Sequence, residues 1–251
     1  MPSSWRTSRY TELVQRLERL DQDTFSIEEI GTLEDYLIFL VKTKQAKGKP
    51  EILLTAGIHG DEPAGPEAVL AALESGFLKK WASKFNFTII PCINPTGYDL
   101  GTRENENGVD INRSFDNAKV YESSSVKKFL TGKRFDLFIE FHEDWEYDGY
   151  YLYELAKDGK KFGKKIIEKL KKGKFPIHNG VADGRDTVNG IVETGKSMPP
   201  PEIAAKVMAL YVSARHADHI ITSETPSKLN IESRIKMHLT VLETALEEQS
   251  K

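Results

Sequence analysis

Two histidines and one glutamate in this 251-residue chain have types and spacing that suit a hydrolytic metal site. His59 and Glu62 are three residues apart and follow the short apolar run 51–56. His142 directly follows a second apolar run, 137–141. Catalytic Zn²⁺ is often held by two imidazoles and one carboxylate, with a further position open for water. An isolated His-x-x-Glu arises often by chance, so the hypothesis of one zinc site depends on His142 joining the pair.

A second group of polar residues follows the apolar run 85–93. The segment 94–116 is rich in asparagine and glycine, as turn-forming loops are, but it also contains Arg103 and Arg113. A guanidinium can bind a carboxylate through two hydrogen bonds or stabilise a developing oxyanion. A loop of this length in a compact domain is usually functional. We therefore interpret 94–116 as part of the site.

Together these motifs resemble the zinc carboxypeptidase family, the M14 metallopeptidases. They follow one another in the family's order between residues 57 and 226, as HGDE, NPTGY, TREN, GVDINRSF and a strand that ends in histidine. Within the family the chain is most similar to small bacterial and archaeal members related to murein peptide amidases. The succinylglutamate desuccinylase and aspartoacylase branch is the next resemblance. The motifs are specific jointly, although none is specific alone.

The resemblance implies a role for each matching residue. It makes His59, Glu62 and His142 the protein ligands of one Zn²⁺ ion. It implies that Arg103 polarises the scissile carbonyl and holds its oxyanion. It also implies that Asp110 hydrogen-bonds the ring N–H of His59, which would fix the tautomer of that ligand.

The resemblance further implies a substrate carboxylate clamp and a general base. Asn112 and Arg113 would bind the substrate's free carboxylate. The base would be a glutamate at a strand end, for which Glu193 and Glu224 both qualify. We favour Glu224, because the predicted helix 201–214 precedes its strand and the last predicted helix follows it directly. Glu193 would then line the substrate pocket or serve as an ordinary polar residue.

The function implied is hydrolysis of an amide bond next to a free carboxylate by a metal-activated water, with a small peptide as substrate. A zinc deacylase of N-acyl amino acids is the alternative, and a non-catalytic binding module of the same fold is a third. Asp61, Glu143 and Asp144 leave room for a second metal, but we expect one ion. The side-chain pocket is expected to involve residues 176–200.

Alternating strand-like and helical patterns predict the elements that position these residues. They indicate a single α/β domain over residues 1–251, with a mixed, mostly parallel sheet flanked by helices, as in the zinc carboxypeptidase-like (phosphorylase/hydrolase-like) fold. The predicted strands are 25–32, 36–42, 51–56, 85–93, 137–141 and 219–223. The predicted helices are 7–20, 63–78, 123–131, 159–172, 201–214 and 231–248. Ligands of such sheets bind at the carboxyl ends of the strands, where both histidines fall.

The composition excludes several other classes of protein. Hydrophobic residues make up 39% and charged residues 29%, and the net charge of −3 argues against a nucleic-acid partner. No apolar window approaches the roughly 18 residues of a membrane helix, and the first residues lack an apolar signal segment. The single cysteine, Cys92, rules out a disulfide framework. We therefore expect cytoplasmic residence, without a membrane partner.

Overall fold

The computed structural model describes residues 8–193 and 201–251. Its strands are β1 Phe25–Leu33, β2 Tyr36–Thr43, β3 Glu51–Ala56, β4 Asn86–Ile90, β5 Phe135–Asp144, β6 Tyr151–Ala156, β7 Gly180–Ala182, β8 Arg185–Val188, β9 Ile191–Val192 and β10 Ala217–Pro226. Its helices are α1 Arg9–Glu18, α2 Ala64–Glu74, α3 Phe77–Trp81, α4 Pro95–Leu100, α5 Tyr121–Leu130, α6 Gly163–Lys172, α7 Pro201–Ala204, α8 Met208–Arg215 and α9 Ile231–Gln249. None of the helices in this part of the chain is long and apolar enough to cross a membrane.

One sheet contains every strand of the described residues, in the order β1-β2-β4-β3-β5-β10-β6-β9-β8-β7. The four central strands β4, β3, β5 and β10 are parallel to one another. Antiparallel pairs extend the sheet on both sides, with β1 and β2 at one edge and β6 and the β7–β8 hairpin at the other. This topology confirms the predicted α/β class with a mixed sheet that is parallel at its centre.

The central strands are buried on both faces, as parallel strands covered by helices are. Leu54, Ile139 and Ile221 point to one face, where they join an apolar core that includes residues of α2, α6 and α9. Their neighbours Leu53 and Phe138 point to the other face, towards residues of α5 and α8. The fold therefore has three layers, and the site lies at the carboxyl edge of the middle one.

Several element predictions need correction. Gly76 adopts φ 75°, which ends the predicted helix 63–78 and separates α2 from α3. The predicted helix 201–214 is likewise two helices, α7 and α8. The segment 94–116, expected to be irregular, contains α4 and a 3-10 turn at Ile111–Arg113.

Strand β6 is not predicted by the sequence pattern, although it pairs with β10 along its whole length. Its position 154 is a glutamate buried in the sheet, which breaks the apolar pattern expected for a buried strand. Glu154 is balanced by His219 of β10, with the carboxylate 2.8 Å from Nε2 of the ring. Because that partner lies 65 residues away, only the tertiary structure makes the glutamate compatible with a buried strand.

Candidate metal centre and active site

The predicted ligands converge at the carboxyl ends of β3 and β5. His59 follows β3, and Glu62 lies immediately before α2. His142 lies near the carboxyl end of β5, which continues to Asp144 and so past the predicted end at 141. Since β3 and β5 are parallel neighbours, with Ala56 beside Phe141, their ends bring the two histidines to one edge of the sheet.

The three side chains are close enough to hold a single ion. The Nδ1 atom of His59 lies 2.6 Å from one carboxylate oxygen of Glu62, and Nδ1 of His142 lies 3.0 Å from the other. One ligand atom from each residue falls within 4.8 Å of the others, and all three residues are buried. Two imidazoles and one carboxylate are a donor set of catalytic zinc sites. The residues therefore fit the predicted ion.

The far side of each imidazole faces a carboxylate. The Nε2 atom of His59 lies 3.4 Å from Asp110, the residue predicted to bind it, and Nε2 of His142 lies 3.3 Å from Glu140. A carboxylate beside Nε2 favours the tautomer that carries its proton there and leaves the Nδ1 lone pair free for a metal. Sequence reasoning missed Glu140. The available signal was a charged residue inside the apolar run 137–141, two positions before a ligand and so on the same face of the strand.

The charges of these residues reinforce one another. Burial alone would raise the pKa of Glu62, but the imidazoles of His59 and His142 lower it well below its usual range. Burial would likewise lower the pKa of His142, but the carboxylates of Glu140 and Glu62 raise it well above its usual value. Against burial, His59 lowers the pKa of Asp110 to about 2. The ionised forms of Glu62 and Asp110 are therefore favoured beside the two imidazoles.

Arg103 reaches the same centre from the loop. Its Nε and one terminal nitrogen donate to Asp110 at 3.3 and 3.2 Å. The other terminal nitrogen lies 3.3 Å from Nδ1 of His59 and 3.7 Å from Glu62. The side chain remains 40% exposed, so the guanidinium is oriented by Asp110 and still accessible to a substrate.

Two glycines allow the loop to approach the turn that carries the ligands. A Cβ atom on Gly60 would lie 1.9 Å from the backbone of Gly97, and a Cβ on Gly97 would lie 2.3 Å from Asn94. Asn94 caps α4 by accepting from the amide of Gly97, and it also donates to the carbonyl of Arg103 at 3.2 Å. Only glycine fits at both positions, which explains why the HGDE and NPTGY motifs occur together.

The two candidate bases differ in position. Glu224 lies on β10 directly beside His142 of β5, and residues in register on neighbouring strands share a face of the sheet. It is half-buried; burial raises its pKa well above its usual value, and the carboxylate of Glu62 raises it further. Glu193 follows the short edge-side strand β9 and is exposed. The geometry favours Glu224.

The proposed carboxylate clamp lies on the 3-10 turn that ends the loop. Asn112 is buried, and its side-chain oxygen accepts from the backbone N–H of Met208 at 3.1 Å, which leaves its NH₂ group as the free donor. Arg113 is exposed. The predicted pocket segment 176–200 contributes β7, β8 and β9, while its residues 194–200 lie outside the described part of the chain.

Two of the three acids that left room for a second metal have other contacts. Glu143 accepts from the N–H of Ala64 at the start of α2 and pairs with Arg234. Asp144 accepts from the hydroxyl of Tyr151 and from a backbone N–H. Within residues 8–193 and 201–251, the ligand trio described above is the one group of three that could hold a metal.

Known proteins similar to this chain fall into one group. Residues 10–164 match the zinc carboxypeptidase family. Murein peptide amidase A of Escherichia coli (strain K12) is 36% identical over 77 residues, which are 31% of this chain and 30% of that protein. The match therefore spans less than a third of the relative.

Solved structures share the fold over nearly the whole chain. A chain from Shewanella baltica OS155 that is assigned as a metallopeptidase superposes with a TM-score of 0.78 at 23% identity, covering 95% of this chain and 90% of that one. A metallo-carboxypeptidase from Pseudomonas aeruginosa, in complex with (2-guanidinoethylmercapto)succinic acid, gives 0.68 at 18% identity, with 98% and 69% covered. The family match covers more than half of the chain and confirms the resemblance seen in its motifs. The chain belongs to the zinc carboxypeptidase family.

Proposed function

We propose that the protein is a zinc-dependent peptidase or peptide amidase that hydrolyses an amide bond next to a free carboxylate. The observation that carries this proposal is the convergence of His59, Glu62 and His142, with Glu224 beside them on the neighbouring strand. The similarity to a murein peptide amidase supports a peptide substrate.

The ligand trio would supply the centre with its metal chemistry. His59, Glu62 and His142 would hold a zinc ion, which would supply Lewis acidity and make a water acidic enough to lose its proton near neutral pH. Asp110 and Glu140 hold the outer nitrogens of the two imidazoles.

The remaining proposed residues act on the substrate. Glu224 takes a proton from the attacking water and returns it to the leaving nitrogen, so that the amine departs neutral. Arg103 donates to the carbonyl oxygen as negative charge develops there. Asn112 and Arg113 bind the free carboxylate and so select amides at the end of a peptide.

The first experiment measures zinc content together with hydrolysis of three substrate panels: peptides with free C-termini, murein-type peptides and N-acyl amino acids. We expect about one zinc per chain and hydrolysis of one of the two peptide panels. Turnover of N-acyl amino acids alone would replace the proposal with a deacylase. Stoichiometric zinc without turnover of any panel would favour a binding module.

A metal-ligand variant separates metal-dependent turnover from contaminating activity. We expect His142→Ala to lose both zinc and turnover. As a control, Lys79→Ala changes an exposed residue of α3 and should keep both. Full turnover of His142→Ala without zinc would contradict the proposal.

A further inference from the structure

Glu140 is a buried carboxylate in the middle of the sheet, with a side chain 1% exposed. It lies on β5 two residues before His142 and therefore points to the same face. Its register neighbours on β3 and β10 are Thr55 and Thr222, which are also buried. Glu140 is more enclosed than Glu62, which is 6% exposed, or Asp110, which is 24% exposed.

The contacts of Glu140 point to a single partner. Its Oε2 atom lies 3.3 Å from Nε2 of His142, the one basic group within ion-pairing distance of it among residues 8–193 and 201–251. Neither carboxylate oxygen accepts a hydrogen bond from the described residues, and the Nε2 atom of His142 and the hydroxyl of Thr55 likewise have no hydrogen-bond partner there. A buried carboxylate with so few partners is costly to keep and contributes little to folding stability. Such a group is better explained by an effect on His142 than by packing.

We propose that Glu140 is a positioning residue that fixes the ring of His142 for metal binding. By accepting the Nε2 proton, Glu140 leaves the Nδ1 lone pair directed at the position shared with Glu62 and His59. The inference rests on the metal centre of the proposed function. It assigns to Glu140 the role that Asp110 plays for His59, but without the arginine that shares the charge of Asp110.

Zinc affinity, measured by competition with a chelator, tests this role without relying on activity. We expect Glu140→Leu to bind zinc about 10- to 100-fold more weakly than the wild type, as is usual when such a partner is removed. Glu140→Gln keeps an oxygen that can accept from Nε2, so its loss should be smaller. The visible spectrum of the Co²⁺-substituted protein should change in both variants, because the orientation of one ligand changes.

Glu154→Gln is the matched control. Glu154 is also a buried strand glutamate beside an imidazole, that of His219, but it lies outside the ligand group. This variant should bind zinc with wild-type affinity. The Tm of each metal-free protein reports folding separately, and we expect Glu140→Gln to keep the wild-type Tm within a few degrees.

The possible results separate this inference from the proposed function. Zinc affinity equal to wild type in both Glu140→Leu and Glu140→Gln would overturn the positioning role while leaving the metal centre intact. A lowered metal-free Tm with unchanged zinc affinity would also overturn it, because it would make Glu140 a purely structural residue. A wild-type protein that binds no zinc would instead refute the metal centre itself.

Discussion

The two halves of the metal centre use the same arrangement in different surroundings. The loop half comprises His59, Glu62, Arg103 and Asp110, and the strand half comprises Glu140, His142 and Glu224. Each half has an imidazole backed by a carboxylate, at 3.4 Å in the loop half and 3.3 Å in the strand half. The side chain of Asp110 is 24% exposed and also binds Arg103, whereas that of Glu140 is 1% exposed.

The difference in exposure of the two carboxylates suggests different roles for the two halves of the site. Charge is weakly screened in the buried strand half, so the carboxylate there acts strongly on its imidazole. In the loop half the same charge is shared with a guanidinium and with solvent, which leaves Arg103 able to turn towards a substrate. We infer that the strand half mainly sets metal affinity and proton transfer, whereas the loop half mainly binds and polarises the substrate.

The largest expected effect is on the base of the strand half. Glu224→Gln removes the group that moves the proton, so kcat should fall by about 10²- to 10⁴-fold, the usual contribution of a general acid–base residue. The zinc content should stay at the wild-type value. Glu193→Gln is the matched control and should keep kcat within a few-fold. If Glu224→Gln retains normal turnover and Glu193→Gln loses it, the roles of the two glutamates are reversed.

A somewhat smaller loss is expected from the loop half. Arg103→Ala removes one donor to the developing oxyanion, which commonly lowers kcat by about 10²- to 10³-fold. Zinc affinity should change little, because the three ligands remain. Arg134→Ala, at an exposed ion pair with Asp218, serves as the control and should be neutral. Loss of zinc in Arg103→Ala would contradict the division between the halves.

Replacing the carboxylates of Asp110 and Glu140 by amides tests the comparison of the two halves directly. Asp110→Asn should weaken zinc binding less than tenfold, below the 10- to 100-fold range typical of such partners, because Asp110 divides its charge between His59 and Arg103. It should lower kcat more than zinc affinity, since Arg103 loses its anchor. Glu140→Gln should instead lower zinc affinity more than kcat. If the loss of kcat relative to the loss of zinc affinity is the same in both variants, the distinction between the two halves is wrong.

The smallest expected effect concerns the packing behind the strand half. His238 of α9 is buried, stacks on Phe141 and contacts the hydroxyls of Ser223 and Thr225, the neighbours of Glu224 on β10. Burial lowers the pKa of His238 to about 3, from about 6.5 for an unperturbed histidine. Below pH 6.5 the unfolded chain therefore takes up a proton that the folded chain does not.

This difference makes the free energy of unfolding depend on pH. The contribution of His238 is fully present above pH 6.5 and falls by up to about 1.4 kcal/mol per pH unit as the pH decreases towards 3. His238→Phe should be less stable at pH 7.5, because two hydroxyls lose a partner, but should lose stability less steeply on acidification. Urea unfolding between pH 7.5 and 5 measures both slopes, and contributions common to the two proteins cancel. Parallel slopes would refute a neutral buried His238.

The sequence alone determined the family and the α/β class, and it predicted the three candidate ligands that the structure brings together. Each of these rests on local signals: apolar runs mark strands, and histidines placed at or beyond their predicted ends mark one edge of a sheet. The spacing of His59 and Glu62 is local as well, because three residues on a turn into a helix keep two side chains together. The ligand roles and the roles of the other site residues remain predictions, and the geometry is compatible with them.

Only the tertiary structure decided which residues complete the site. The preference for Glu224 over Glu193 depends on strand order, since β10 lies next to β5 whereas β9 lies beyond β6. Glu140 and Glu154 look alike in sequence, as acids inside apolar strands, yet one faces a metal ligand and the other His219. For Glu154 and Glu224 the physical reason is that the neighbouring imidazole comes from a different strand, and strand pairing over long separations leaves no trace in the local pattern. Glu140 differs, because its partner His142 lies two residues further along the same strand.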